Sequence, residues 1–195
     1  MTCIVGVKHR EEIWIGGDSA GIAGHLLCIR ADEKVFQTGQ FLMGFTSSFR
    51  MGQILRYGFL PPEQPSSLTA EAYLSTVWVD AVRACFKEKG FARKESDAEY
   101  GGCFLVGYRG ELWEIDSDYQ IGRWDCGFAA IGSGAQVALG SLFTSKEAPG
   151  LADDPEARLR AALTAAQLFN TTVREPFVIR RLQPPEHPAP AEEHG

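Results

Sequence analysis

Two short runs at the start of the chain, Cys3 to Val7 and Ile13 to Gly17, are apolar on both faces, and this is the tightest limit on what the chain can fold into. Side chains alternate between the two faces of a strand, so a strand without a polar face must be covered on both sides. The charged turn at Glu11-Glu12 joins the two runs into a hairpin. A chain of 195 residues can bury such a hairpin inside one domain. With 45% hydrophobic and 23% charged residues it is of the soluble globular kind.

A loop with Gly21 and Gly24 follows, then a strand at Leu26 to Ile29, a segment around Lys34-Val35-Phe36 and a strand at Phe41 to Thr46. Ser47 or Ser48 can cap a helix reaching about Tyr57, which Gly58 and Pro61-Pro62 end. Thr69 opens a second helix, whose Leu74, Val77, Trp78, Ala81 and Cys85 recur at helical spacing as a core stripe. The polar stretch 87–102 reads as a connecting loop. Two strands hinged at Arg109-Gly110 come next, then a strand at Phe128 to Ile131 that enters a helix at Gly132-Ser133-Gly134. Asp154-Pro155-Glu156 starts the last helix, with Leu159, Leu163, Ala166 and Phe169 as its apolar face. Phe177 to Leu182 is the final strand. The domain is expected to span 2–182, and four prolines and three glutamates among the 13 residues 183–195 predict a disordered tail. Strands then helices, twice over, indicate an α+β fold in which two packed antiparallel sheets covered by helix pairs use every segment.

Several classes of function are excluded. The net charge of −6 argues against a broad nucleic-acid or anionic-membrane surface, and no apolar run reaches the length of a membrane span. The chain opens without the charged-then-apolar pattern of a signal peptide, which makes it an expected cytoplasmic protein. Its five cysteines are odd in number, widely spaced and free of any C-x-x-C, so neither a disulfide framework nor a metal site is indicated, and no cofactor is implied.

Chemistry points to Thr2. Removal of Met1 would leave a threonine carrying both a nucleophilic hydroxyl and, in its α-amine, a base titrating near 7.7–8.0. The next two polar landmarks, Asp18 and Lys34, follow at intervals of 16 residues, each at the end of an expected strand or just beyond it. Asp18 closes an apolar strand, where a carboxylate needs a partner. Lys34 is a fitting one, and its ammonium would lower the pKa of a nearby hydroxyl. An ordinary buried ion pair explains Asp18 and Lys34 equally well when no nucleophile is in reach. Cys3 is excluded as nucleophile because loss of Met1 exposes Thr2.

The opening T-C-I-V-G-V, W-I-G-G-D-S and K-V segments, ungapped from Thr2 to Lys34, resemble the start of the proteasome β-subunit family of N-terminal nucleophile hydrolases, most closely its bacterial HslV-type branch. The resemblance implies a four-layer αββα sandwich. It assigns Thr2, Asp18 and Lys34 as nucleophile, carboxylate and lysine. It also assigns Gly44 of Met43-Gly44-Phe45 as the oxyanion donor, and Ser133 of Gly132-Ser133-Gly134 as the serine beside the nucleophile's amine. Residues near Leu42 and Thr46 would then line a pocket for a medium-sized apolar side chain. The family carries an Asp near the end of its third helix and a Ser three residues on; the nearest positions here are Asn170 and Val173.

The implied activity is a threonine endopeptidase acting on peptides or unfolded proteins within stacked homo-oligomeric rings of 12 or 14 subunits, served by an ATP-dependent unfoldase. Two alternatives stay open at this level: a catalytically silent ring subunit, and a small-molecule amidohydrolase of the same superfamily.

Overall fold

The computed structural model describes residues 2–95 and 98–183; all of the expected tail beyond Gln183 lies outside them. In chain order the elements are β1 (Ile4–His9), β2 (Glu12–Gly17), β3 (Ala20–Ala23), β4 (Leu26–Ile29), β5 (Val35–Thr38), β6 (Phe41–Phe45) and α1 (Phe49–Tyr57). There follow α2 (Ala70–Tyr73), a π-helical stretch Leu74–Trp78 and α3 (Val79–Glu88), which run on as one helix, then β7 (Arg93–Glu95) and β8 (Ala98–Tyr100). The second half holds β9 (Phe104–Tyr108), β10 (Glu111–Ile115), β11 (Ile121–Gly122), β12 (Phe128–Ile131), α4 (Ala135–Ser145), α5 (Pro155–Phe169) and β13 (Val178–Leu182). No helix among the described residues is long and apolar enough to cross a membrane.

Two antiparallel sheets form the centre, one in the order β12-β1-β2-β13 and the other β11-β10-β9-β6-β5. Three apolar clusters reveal the layering. Ile4, Ile13, Ile15, Leu42, Leu105 and Leu112 meet between the sheets. Cys3, Val5 and Val7 face the opposite way, against Leu159, Ala162 and Leu163 of α5 and Leu142 of α4. Met43, Phe45 and Val106 of the second sheet pack on Met51, Leu55, Trp78 and Val82 of α1 to α3. The fold is thus an αββα sandwich, and the apolar doubling of β1 follows from it: one face meets the second sheet and the other meets helices.

Local signals set most element boundaries. Ser48, Thr69 and Asp154 each accept a backbone N–H of the first helical turn, at 3.1, 3.2 and 2.9 Å. The β9–β10 hairpin turns on Arg109 and Gly110, both at positive φ, which matches the right-handed twist of its strands.

Four expectations are corrected. The helical stripe after Thr69 buries Leu74, Trp78, Val79, Val82 and Phe86, leaving Val77, Ala81 and Cys85 only half-buried. The extra residue of the π-helical stretch rotates the buried face by one position. Phe169, at the end of α5, is 74% exposed, because the helix runs past the sheet it covers. The loop 87–102 contains the polar β7–β8 hairpin, paired Arg93 to Tyr100 and Lys94 to Glu99, which no apolar alternation announces. The stretch around Gly21 is strand β3, paired residue for residue with β4.

Two expected site residues also fall inside this framework. Leu42 is fully buried between the sheets. Gly44 lies mid-strand opposite Val35 and Leu105, and a Cβ on it would come within 2.6 Å of Ile4 and 2.8 Å of Ile15. Its missing side chain lets the sheets approach. Gly44→Ala is therefore expected to lower unfolding stability by roughly 1–3 kcal/mol, the usual cost of overpacking a filled interior. Denaturant titration measures it, and an unchanged midpoint would contradict this account of the interface.

Candidate active site

Strand register builds the site. The pairing Ile4 to Gly17 sets Thr2 and Cys3 beside Asp18, whose N–H donates to Cys3 O at 3.2 Å. Lys34 stands just before β5, where its carbonyl accepts from Phe45 N at 3.1 Å. The pairing Ile4 to Ile131 brings 132–134 alongside Thr2. Three segments distant in sequence thereby end at one rim of the sandwich.

Thr2, Asp18 and Lys34 are each at most 3% exposed. Asp18 Oδ1 accepts from Thr2 Oγ1 at 2.6 Å, Lys34 Nζ at 2.8 Å and Cys3 N at 3.0 Å, while Oδ2 accepts from Ala20 N at 2.9 Å and Arg174 N at 3.3 Å. Lys34 Nζ also donates to Thr2 Oγ1. Burial pushes the lysine below its ordinary pKa, and the neighbouring Asp18 opposes that shift. The hydroxyl thus donates to a carboxylate and accepts from an amine, the environment in which an alkoxide forms most readily. Cys3 is different: burial pushes its thiol up to about 12, and Asp18 adds to the rise, so it stays protonated and inert.

A second group surrounds the Thr2 nitrogen. Ser133 Oγ accepts from Thr2 N at 3.1 Å, and Gly134 N donates to Thr2 O at 3.2 Å. Gly132 has φ +94°, and a Cβ there would stand 2.3 Å from Thr2 O, so only glycine allows this approach. Asn170, just after α5, donates from Nδ2 to Ser133 O at 2.8 Å. Val173 is fully buried in the helix layer and takes no part. The hydroxyl beside Ser133 belongs instead to Thr172, 2.7 Å from Ser133 Oγ. A fixed three-residue step from Asn170 misses it; the polar Thr171-Thr172 pair directly after the helix end was the available signal.

The wall next to Thr2 is the turn 45–49, and with Lys34 it encloses about 30 Å³. Thr46 lines this cavity as expected, with its hydroxyl on Cys103 O at 3.1 Å; Leu42 and Gly44 do not reach it. Successive N–H groups of a strand point to opposite edges. Phe45 donates toward Lys34 and Thr46 toward Cys103, which turns the Gly44 N–H to β9. Ser47 holds φ +69° there, ending the strand. Phe49 closes the cavity, its ring under the Arg30 guanidinium at 4.3 Å. Larger hollows of about 350 and 540 Å³ lie around Arg123 and Trp124 and include none of the residues bonded to Thr2.

No sequence-family model and no curated protein sequence matches the chain. Solved structures do. Thiobacillus denitrificans BPH in complex with epoxomicin is 24% identical, with a TM-score of 0.77 over 94% of this chain and 100% of that one. HslV from Trypanosoma brucei is 17% identical, with a TM-score of 0.66 over 93% and 99%. The Anbu (Gly-1) mutant from Hyphomicrobium sp. strain MC1 is 18% identical, with a TM-score of 0.63 over 92% and 80%. At these identities the likeness is one of fold: the chain has the sandwich of the HslV and bacterial proteasome-homologue structures.

The bonding pattern ranks two substitutions. Asp18→Ala leaves a buried ammonium, a hydroxyl and three backbone N–H groups without their acceptor, and is expected to cost roughly 3–5 kcal/mol. Lys34→Met leaves Asp18 four donors and should cost distinctly less. Urea unfolding of both variants checks the order, and a reversed order would remove Asp18 as the organising group.

Proposed function

We propose that this chain is a threonine peptidase, active once Met1 is removed and Thr2 carries a free α-amine. The observation behind it is the buried contact of Thr2 Oγ1 with both Asp18 and Lys34, an arrangement that costs desolvation and has a chemical use only if the hydroxyl reacts. Thr2 Oγ1 attacks the carbonyl carbon of a peptide bond. Its proton passes through a water to the α-amine, and the Lys34 ammonium stabilises the developing alkoxide. The tetrahedral oxyanion is held by a backbone N–H of the turn 45–49 that walls the cavity beside Thr2, since the mid-strand Gly44 does not line it. Collapse breaks the C–N bond, and the departing amine takes the proton from the Thr2 ammonium. A water then attacks the resulting ester by the same route, releasing the acid and restoring the hydroxyl.

The five cysteines, all free, suit the reducing cytoplasm. The β3–β4 hairpin, outside both sheets, exposes Leu26 at 68% and Ile29 at 49%, and a two-stranded hairpin is marginal unless something packs on it. This supports assembly into homo-oligomeric stacked rings, with unfolded protein delivered by an ATP-dependent unfoldase as the companion reading.

The test uses the full chain and epoxomicin, the compound bound in the Thiobacillus protein. Intact mass is expected to show loss of Met1 and an adduct on Thr2 that vanishes in Thr2→Ala, and light scattering to show a large multiple of the 21.4 kDa chain. Retained Met1, or an adduct that survives Thr2→Ala, would sink the assignment.

The small cavity bears on selectivity. The cavity beside Thr2, about 30 Å³ and walled by Phe45, Thr46 and Phe49, favours a small side chain before the cleaved bond over the medium-sized one that the resemblance implies. Phe49→Ala should raise kcat/KM for leucine relative to alanine at that position by about tenfold or more. Equal ratios in both proteins, measured on matched fluorogenic peptides, would place selectivity elsewhere.

A further inference from the structure

Resting on the peptidase reading, we infer that Arg180 is a positioning residue for Lys34: from the neighbouring sheet it holds the residues on both sides of the lysine and so sets where the ammonium stands between Asp18 and Thr2 Oγ1. Lys34 lies at an open place in the fold. It precedes β5, and residues 30–33 before it belong to no helix or strand. Phe45 N donates to Lys34 O at 3.1 Å and ties it to β6. On its other side β5 is the edge of its sheet. Successive residues of an antiparallel strand turn their polar groups to opposite sides. With Lys34 O taken by β6, the Val35 carbonyl therefore faces the open edge.

An arginine of the other sheet closes that edge. Side chains alternate along β13, and Val178 and Leu182 pack into the apolar cluster between the sheets. Arg180 lies between them on the same face, a cation where its neighbours are apolar. Its guanidinium reaches past the apolar layer to the rim, where Nε donates to Val35 O at 3.3 Å and Nη2 to Glu33 Oε2 at 2.6 Å. The planar fork thus spans two attachment points, one residue before Lys34 and one after it. Arg56 of α1 approaches Glu33 Oε2 at 3.9 Å from the helix layer. Residues 33–35 are thereby tied to β6, β13 and α1 together.

The reaction depends on that restraint. Lys34 Nζ meets both Asp18 Oδ1, at 2.8 Å, and Thr2 Oγ1. A misplacement of about 1 Å at such a group can cost about 100-fold in rate. The ion pair itself is exposed, 43% at Arg180 and 30% at Glu33, and a pair of that kind adds little to stability. Stapling two sheet edges and positioning a lysine are therefore separable: the first shows in unfolding, the second in turnover.

The test compares wild type with Arg180→Met, Arg180→Lys, Glu33→Ala and the double variant Arg180→Met/Glu33→Ala. It reads kcat and KM on one fluorogenic peptide, assembly mass and the urea midpoint. Arg180→Met is expected to lose roughly 10- to 100-fold in kcat, with KM, assembly mass and midpoint unchanged. Glu33→Ala removes one arm and loses less. The double variant loses no more than Arg180→Met alone, as expected of two groups that act through one contact. Arg180→Lys, with one ammonium for two acceptors, recovers part of the loss. Wild-type turnover in Arg180→Met overturns the assignment, and so does a loss confined to KM or matched by a fall in the midpoint. If Arg180→Met does not assemble, wild-type kcat in Glu33→Ala overturns it.

Should wild type neither cleave peptide nor take the epoxomicin adduct, the peptidase reading falls. The clamp is then judged by trace acetylation of Lys34 Nζ, measured against the exposed Lys87 in the same sample. The Lys34 side chain is 3% exposed, and its release makes it react faster. A raised Lys34 to Lys87 ratio in Arg180→Met upholds the clamp, and an unchanged ratio overturns it.

Discussion

The carboxylate of Asp18 is the interaction on which the rest depends. A charge held at 1% exposure is tolerable only when its lone pairs are occupied, and here five donors occupy them. They come from the residues before β1, from the first residue of β3, from the residue before β5 and from the strap after α5. Each donor ties a separate part of the fold to one point. Thr2 is therefore positioned by the charge that had to be satisfied for the sheets to close.

The two sheets could not close without small residues at the crossing. Gly44 lets Ile4 and Ile15 sit against β6, and that approach sets Lys34 level with Thr2. The site divides into halves with different chemistry. The Asp18–Lys34 half is charged and bonds the Thr2 hydroxyl. The Ser133–Thr172–Asn170 half is neutral and meets the Thr2 nitrogen through Ser133. Thr2 is where they meet, because it precedes a strand that borders both layers.

Much of this was legible in the chain. The doubly apolar strands predicted a doubly covered hairpin, and Ser48, Thr69 and Asp154 marked helix starts by the side-chain oxygen that the first turn requires. Asp18 and Lys34 stood out as charges in apolar surroundings. What was not legible depended on register. The stripe on the second helix slipped by one because a π-helical stretch leaves no compositional mark. Gly44 and Leu42 matched a pattern in type but sit on the inter-sheet face of β6, whereas the turn at Ser47, three residues beyond the expected glycine, borders Thr2. Thr172 escaped a reading that counted residues from Asn170, since the chain leaves the helix there and helical spacing no longer applies.

By itself the sequence determined the covering of the strands, the caps of the helices and the three polar residues that had to find partners, because these follow from local periodicity and the cost of burying charge. Tertiary structure alone decided that Ser133 meets both Thr2 and Asn170, how much room lies beside Thr2 and which donors share the Asp18 carboxylate. Those depend on pairing between segments more than a hundred residues apart, and the direction of a hydrogen bond exists only once both partners are in place.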